Sequence, residues 1–301
     1  MTLRDGRTVA FDEIGDRDGF PVVYNPGFLN SRLARPPAET FAGQAGLRVI
    51  CVDRPGYGGS SQQDYRTLWG WATDIEQLAD HLGLGRFAVL GWSHGGPHSL
   101  AIARYLADRV THGALVASSA AWVEHPQAMR SLHWMLRMPW RLRGIPALQQ
   151  ALPAFLARQV HSDVESLVTS YETPSRSNAY SEPDCAVLRE PATHTQWVAN
   201  MTETFRQGPV AAMPDYMAPA RTERFRVQDV HQHIDLFHGE RDITVKPVAS
   251  RILADLLPDA DLRLIPEAGH LCILSHWQQI LQALADRVPA QTPTHVSGIT
   301  P

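Results

Sequence analysis

The feature that most constrains the fold is a serine flanked by glycines between a strand pattern and a helix pattern. Residues 87–90 form an apolar run typical of a buried strand, and residues 97–106 carry the small and apolar side chains of a packed helix. Between them the sequence reads Gly-Trp-Ser-His-Gly at 91–95. A sharp strand-to-helix turn of this kind exposes the serine oxygen at the top of a sheet, and the glycines prevent backbone collisions. We therefore predict that Ser93 is a nucleophile.

Strands and helices alternate on both sides of this turn. Further strand patterns occur at 8–14, 21–24, 47–52, 114–117, 234–237 and 262–265, and further helix patterns at 68–82, 247–257 and 277–288. The first two strands are joined by a glycine-containing turn, so we expect them to form a hairpin. The alternation predicts an α/β fold with a mostly parallel, doubly wound sheet. In such a sheet the ligand sites lie beyond the carboxyl ends of the strands.

The alternation stops between about residues 121 and 208. This stretch reads as consecutive helices with several prolines and little strand character. We predict an α/β core formed by residues 1–120 and 209–288, with a helical insertion at 121–208. The last residues, 289–301, are rich in Pro, Thr and Ser and are predicted to be a mobile tail.

A serine hydroxyl needs a base to activate it, and the base needs an acid to orient it. Asp242 follows the predicted strand at 234–237, and His270 follows the predicted strand at 262–265. We predict that Ser93 is the nucleophile, that His270 is the general base and then the general acid, and that Asp242 orients the imidazole. Asp242 as a simple turn or capping residue, and Glu124 as the acid instead, remain open alternatives.

The chain order Ser, Asp, His resembles that of the α/β-hydrolase family, and the likeness covers most of the chain outside the insertion. Residues 53–60, Asp-Arg-Pro-Gly-Tyr-Gly-Gly-Ser, are similar to the family's D-x-P-G-x-G-x-S loop. The sequences at 239–242 and 269–270 match its acid and histidine loops. The resemblance implies that the insertion is a cap over the active site, and that Asp53 and Arg54 are structural.

An acyl-transfer site also needs backbone N–H donors aimed at the developing oxyanion. One donor is expected to be the amide of His94. The sequence Pro-Gly-Phe-Leu-Asn-Ser-Arg at 26–32 resembles the family's H-G-x-P-G-S-R loop, and this match implies that the Phe28 amide is the second donor. Pro26 stands where the family usually has histidine, and Leu29 where proline is usual.

Aromatic side chains are frequent in the insertion, where helical spacing favours the insertion's own core over a pocket lining. The predicted pocket residues are Trp92 and Trp122, because both adjoin the carboxyl edge of the sheet. His94 and His98 are spaced like zinc ligands on a helix, but Gly95 replaces the glutamate of a His-Glu-x-x-His site. We therefore expect neither a metal nor another cofactor.

Composition limits the partners and the compartment. The chain has 301 residues, 44% of them hydrophobic and 19% charged, which is ordinary for a soluble globular protein. A formal charge of −4 and scattered basic residues argue against a nucleic-acid partner. Three cysteines without CxxC spacing favour a reducing compartment, and no run approaches the roughly 18 apolar residues of a membrane span. We predict a cytoplasmic protein with no membrane partner, for which a homodimer stays open.

Together these features predict a serine hydrolase that cleaves a carboxylic ester or lactone of a small, mostly apolar substrate through an acyl-enzyme. Two alternatives remain. The family that the chain resembles also includes carbon–carbon hydrolases, lyases and cofactor-free dioxygenases, so these activities are one alternative. The Ser-His-Gly-Gly sequence at 93–96 resembles one found in the dioxygenases. A binding module without catalysis is the other alternative.

Overall fold

A seven-stranded sheet forms the centre of the molecule. The computed structural model describes residues 1–37, 40–64, 66–120, 125–142, 145–177, 179–221 and 225–289. The strands are β1 (Phe11–Gly15), β2 (Phe20–Asn25), β3 (Leu47–Val52), β4 (Phe87–Trp92), β5 (Val110–Val116), β6 (His233–Gly239) and β7 (Ala260–Ile265). Their order in the sheet is β1-β3-β2-β4-β5-β6-β7. Only the β1–β3 pair is antiparallel, so the predicted mostly parallel sheet is confirmed.

Helices lie on both faces of this sheet and beyond the carboxyl ends of its strands. In chain order they are α1 (Thr40–Gln44), α2 (Leu68–His81), α3 (Gly95–Tyr105), α4 (Pro126–Ser131), α5 (Trp134–Arg141), α6 (Pro146–Tyr171), α7 (Pro174–Ser177), α8 (Glu182–Arg189), α9 (Pro191–Thr204), α10 (Ala212–Arg221), α11 (Val248–Leu256), α12 (Cys272–Ser275) and α13 (Trp277–Asp286). Successive side chains of a strand point to opposite faces. Val23 of β2 accordingly packs in one apolar cluster with α2, α3 and α11, whereas Val22 packs in another with α1 and α13.

The predicted hairpin of the first two strands is wrong. β1 pairs antiparallel with β3, and β3 lies between β1 and β2. The burial of the strands explains this order. Residues 22–25 of β2 are fully buried and need a paired strand on each side, which β3 and β4 provide. β1 has one buried residue, Ile14, so it occupies the edge of the sheet, where one neighbour is enough.

The helices α4–α9, here called the insertion helices, lie between β5 and β6 in the chain. Trp197 and Met201 of α9 and Leu188 of α8 belong to the same apolar cluster as Leu90 and Trp92 of β4. The insertion helices therefore pack over the end of the strand that carries the serine turn. Helix α10 follows them, and the boundaries between a core and a cap domain stay predictions. Residues 121–124, which include Trp122 and Glu124, and 290–301 of the predicted tail lie outside the described residues.

No helix of the described residues is both long and apolar enough to cross a membrane.

Candidate active site

Ser93 lies on a tight turn between β4 and α3, as predicted. Its backbone has φ 51°, in the left-handed region, and its amide donates to the carbonyl of Val116 at 2.8 Å. The flanking glycines are required by close approach. A Cβ on Gly95 would lie 2.0 Å from the carbonyl oxygen of Asn25, and one on Gly91 would lie 2.7 Å from Ser99 Oγ. This strained turn fixes the hydroxyl of Ser93 at the carboxyl end of the sheet.

The structure brings Ser93, His270 and Asp242 together in one chain of contacts. His270 Nε2 lies 3.0 Å from Ser93 Oγ, and His270 Nδ1 lies 2.7 Å from Asp242 Oδ2. All three residues are buried. Because a carboxylate only accepts hydrogen bonds, Nδ1 carries the hydrogen, which leaves Nε2 free to accept the proton of the serine. The geometry matches a nucleophile, a base and an orienting acid.

Four nitrogen atoms face the Asp242 carboxylate. Its Oδ1 accepts from the amides of Thr244 and Val245 at 2.8 and 2.9 Å. Its Oδ2 accepts from His270 and also lies 3.1 Å from His238 Nε2. His238 Nε2 also lies 2.7 Å from the carbonyl oxygen of Val245. Because a carbonyl oxygen can only accept, His238 Nε2 carries the hydrogen. Sequence reasoning did not identify His238, although it stands at the end of β6, four residues before Asp242.

The pKa values of the coupled pair move in opposite directions. Burial raises the pKa of the Asp242 carboxyl, but the charge of His270 and hydrogen bonds from His238 and His270 outweigh it and hold the pKa well below its usual range. Burial lowers the pKa of His270, yet the charge of Asp242 and its hydrogen bond leave that pKa above 6.5. Asp242 is therefore an anion over the physiological range, and it stabilises the imidazolium that forms when His270 accepts a proton.

Two further residues hold the loop of His270. Trp92 donates from Nε1 to the carbonyl of His270 at 3.1 Å, and its ring lies 5.6 Å from the imidazole. Asp184 of α8 accepts a hydrogen bond from the amide of Leu271 at 2.7 Å. Burial raises the pKa of Asp184, and the Leu271 hydrogen bond lowers it in part. Sequence reasoning identified Trp92 as a pocket residue but missed Asp184, which is 87 residues from its partner.

The two predicted oxyanion donors lie beside the serine. His94 precedes α3, whose N-terminus carries partial positive charge that favours an anion. Phe28 follows β2, and its ring lies 5.9 Å from the ring of His94. Within the described residues, neither amide donates a hydrogen bond to another group. Both amides are therefore available to a bound oxygen, and their role as donors stays a prediction.

A buried ion pair supports the loop of Phe28. Arg54 donates to the carbonyl oxygens of Pro26 and Gly27, the latter at 2.9 Å. It also forms a bidentate pair with Asp215 of α10 at 2.8 and 2.9 Å, and both side chains are buried. Burial raises the pKa of Asp215, but the charge of Arg54 more than reverses this, so the pKa lies far below its usual range. Arg54 thus has the structural role that the family resemblance implies.

The two histidines considered as zinc ligands contact the same aspartate. His94 Nε2 lies 3.2 Å from the Asp215 carbonyl, and His98 Nε2 lies 3.5 Å from its carboxylate. Burial and the charge of Arg54 lower the pKa of His94 to about 4. His94 is therefore neutral near pH 7 and forms part of the network around Asp215.

One other group of side chains has the composition of a metal site. His233, Asp235 and Asp261 place possible ligand atoms within 4.8 Å of one another. Their carboxylates are already neutralised, because Arg287 pairs with both and Arg263 pairs with Asp235. The group lies at the start of β6, at the sheet edge away from Ser93.

A largely apolar pocket of about 240 Å³ opens above Ser93. It is smaller than the roughly 300–1,000 Å³ of common ligand sites, so it fits a small acyl group. Trp92 is among the residues that line it, and its contact with a substrate stays a prediction. The remaining side chains come mainly from the oxyanion loop and the insertion helices: Phe28, Leu29, Leu132, Met135, Leu136, Leu152, Leu156, Tyr171, Tyr180, Trp197 and Met201.

Comparison with known proteins now places the chain in a family. The model of the alpha/beta hydrolase fold matches residues 21–276. The chain belongs to the α/β-hydrolase fold family. This membership confirms the resemblance drawn from the serine turn and from the acid and histidine loops.

Relatives and solved structures agree with this assignment. Pimeloyl-[acyl-carrier protein] methyl ester esterase of Chromobacterium violaceum is 31% identical over 277 residues, which cover 88% of this α/β-hydrolase and 91% of the relative. The enzyme of the same name from Aromatoleum aromaticum is 27% identical over 81% of this chain and 88% of its own. A Bacillus anthracis bromoperoxidase superposes with a TM-score of 0.68 at 18% identity, covering 94% of this chain and 96% of its own. That likeness concerns the fold alone.

Proposed function

We propose that this α/β-hydrolase cleaves carboxylic esters or lactones of small, mostly apolar acyl groups through an acyl-enzyme on Ser93. The observation that carries the proposal is the contact chain from Ser93 Oγ through His270 to Asp242, at 3.0 and 2.7 Å, at the base of an apolar pocket. The relatives from Chromobacterium violaceum and Aromatoleum aromaticum are methyl ester esterases by name, which supports ester cleavage.

Each step of the reaction has a residue in position. Ser93 Oγ attacks the ester carbonyl while His270 Nε2 takes its proton, and the charge that develops on the carbonyl oxygen faces the amides of Phe28 and His94. His270 then returns the proton to the leaving alkoxide, which departs as an alcohol. Water repeats the sequence and releases the acid, because His270 accepts a proton from the water that attacks the acyl-enzyme.

The pocket favours an acyl chain over a charged substrate. Its lining is mainly Leu, Met, Phe and Trp, so an apolar group gains from leaving water there. Among the described residues that line the pocket, no Asp, Glu, Lys or Arg is present. A methyl ester of a short or medium straight-chain acid, uncharged at its buried end, fits these features.

The test combines labelling with two substitutions. A fluorophosphonate probe is expected to add one label to Ser93, detected by intact-mass and peptide mass spectrometry, and to stop hydrolysis of a C2–C8 methyl and p-nitrophenyl ester series. Both S93A and H270A are expected to lower kcat by about 10⁴-fold or more. A protein that neither takes up the label nor hydrolyses the esters would contradict the proposal.

The same pair of variants distinguishes the dioxygenase alternative. In that chemistry the histidine and the acid do the main work, so S93A would keep most of its turnover while H270A would lose it. A loss in S93A on the true substrate that is as large as the loss in H270A supports the acyl-enzyme. The strained φ of 51° at Ser93 favours a nucleophile, because such a conformation persists only where the surrounding structure holds it.

The proposed setting is the cytoplasm. Cys51, Cys185 and Cys272 are free and buried, in keeping with a reducing compartment. A small-molecule ester is the proposed partner.

A further inference from the structure

The outer face of helices α5 and α6 is unusually apolar. Ten large apolar side chains of the described residues are exposed, and six of them lie between residues 134 and 155. In α5 they are Trp134 and Met138, four residues apart, and Trp134 is 55% exposed. Single exposed apolar residues are common on protein surfaces, but a contiguous group marks a site of interaction.

The apolar residues of α6 form a stripe. Ile145, which precedes α6, and Leu148, Leu152 and Phe155 follow one another at intervals of three and four residues, so they share one helix face. Leu148 is 50% and Phe155 is 52% exposed. The opposite face carries buried Ala157 and Val160. The first half of α6 therefore has apolar side chains on its exposed face as well as on its buried face, which is typical of a helix that is covered on both sides.

A groove beside this stripe leads toward the catalytic pocket. It has a volume of about 200 Å³ and is lined by side chains such as Trp134, Met138 and Leu148. Met135 and Leu152 line both the groove and the pocket above Ser93. An acyl chain held in the groove would thus have an apolar route to the serine.

The same segment carries an excess of positive charge. Residues 125–162 contain five arginines and neither Asp nor Glu, although the whole chain has a formal charge of −4. Arg130, Arg141 and Arg158 are exposed. None of these three forms an ion pair with another described residue. An anionic surface would therefore be complementary in charge to this segment.

We propose that this face of α5 and α6, here called the docking face, binds an anionic lipid surface and takes the acyl chain of a lipid-borne ester through the groove to Ser93. Half-exposed Trp, Phe and Leu side chains next to arginines are the combination that binds at the boundary between headgroups and acyl chains. A second copy of the chain would bring like charges together. An acidic protein would neutralise the arginines but would not offer acyl chains to the exposed apolar side chains. The proposal replaces our sequence-based expectation of no membrane partner.

Passage of the acyl chain to Ser93 rests on the proposed hydrolysis, but binding to the lipid surface does not. Binding is therefore tested by itself, without measuring ester hydrolysis. The full chain is sedimented with phosphatidylcholine vesicles, with or without 30% phosphatidylglycerol, at 50 and 500 mM salt. We expect binding to the anionic vesicles only, weakened at high salt. The double variant R141Q/R158Q should lower the partition coefficient by about 30-fold. The variant L148S/F155S should lower it at least tenfold.

Matched variants away from the docking face serve as controls. R17Q/R251Q removes two exposed arginines, and W69S/V248S removes two exposed apolar side chains, and both should bind like the wild type. R141Q/R158Q and the two control variants should hydrolyse soluble p-nitrophenyl acetate at the wild-type rate. Absence of binding to anionic vesicles at 50 mM salt would overturn the proposal. So would a dimer in light scattering that L148S/F155S abolishes, or capture of an acidic protein without lipid binding.

Discussion

The carboxylate of Asp184 accepts the amide hydrogen of Leu271 at 2.7 Å, and so joins an insertion helix to the loop of His270. The contact is tight. A Cβ on Gly269 would lie 2.2 Å from the same carboxylate, so only glycine fits at that position. Asp184 is itself held from the other side, since its Oδ2 accepts from the amide and the hydroxyl of Ser181 at 3.0 and 2.8 Å.

We predict that Asp184 positions His270. D184A should lower kcat/KM about ten- to a hundredfold, because a buried hydrogen bond to a charged group contributes about 1.5–3 kcal/mol. D184N keeps an acceptor but loses the charge that raises the pKa of His270, so the acid limb of its pH–rate profile should move to lower pH. E182Q, on the same helix but exposed, is the control. If the pH–rate profile of D184N is unshifted, Asp184 supports the fold only and does not act on His270.

The raised pKa of His270 predicts the pH dependence of the wild type. Only the neutral imidazole can accept the serine proton, so kcat/KM should rise with pH and reach half its plateau above pH 6.5. D242N removes the negative charge and should lower that midpoint, together with a large loss of kcat. The measurement is kcat/KM on a soluble ester from pH 4.5 to 9. A wild-type midpoint below 6.5 would contradict the geometry.

Removal of one partner from the buried Arg54–Asp215 pair should destabilise the protein. D215N leaves the Arg54 guanidinium without its counter-ion in a buried site, at a cost of about 3–5 kcal/mol. The loop of Phe28 should loosen as well, because Arg54 holds the carbonyls of Pro26 and Gly27, and kcat should fall even where the protein is folded. Urea unfolding measures the first effect. The exposed pair Arg241–Glu267 is the control, and E267Q should change stability by less than about 1 kcal/mol.

The glycines offer a matched test of close packing. G95A should destabilise the fold by at least about 3 kcal/mol and abolish activity, since its Cβ would lie 2.0 Å from the carbonyl oxygen of Asn25. Gly85 has nothing within 4 Å of an added Cβ, so G85A should be neutral or slightly stabilising. Thermal unfolding and ester hydrolysis compare the two variants. Equal behaviour would refute the packing at the serine turn.

Local patterns were sufficient to predict most of the sheet and to select three residues that the structure brings into contact. The strand at 47–52 has the predicted bounds, and Ser93, Asp242 and His270 follow the parallel strands β4, β6 and β7, whose carboxyl ends meet at one edge. The pairing of β1 was beyond local patterns, because it depends on which buried strand needs a second neighbour. A short turn between two strands does not ensure that they pair, as β1 and β2 demonstrate.

The supporting residues were missed for a related reason. Asp184 and Leu271 are 87 residues apart, and Arg54 and Asp215 are 161 apart, so no local spacing connects them. His238 had a local signal, its place on the strand that leads to Asp242, but histidines at strand ends are not rare. The arginines at 130–158 appeared scattered in the whole-chain count, and what distinguishes them is that they lie in the segment that carries the exposed apolar side chains.

The bond from Asp184 also bears on attempts to redesign this enzyme. Exchange of the insertion for that of a relative would be the natural way to alter which esters enter the pocket. Here such a transplant would also remove a support of the catalytic histidine. Engineers would need to retain α8, or graft an equivalent carboxylate opposite Leu271, before any new selectivity could be measured on a working enzyme.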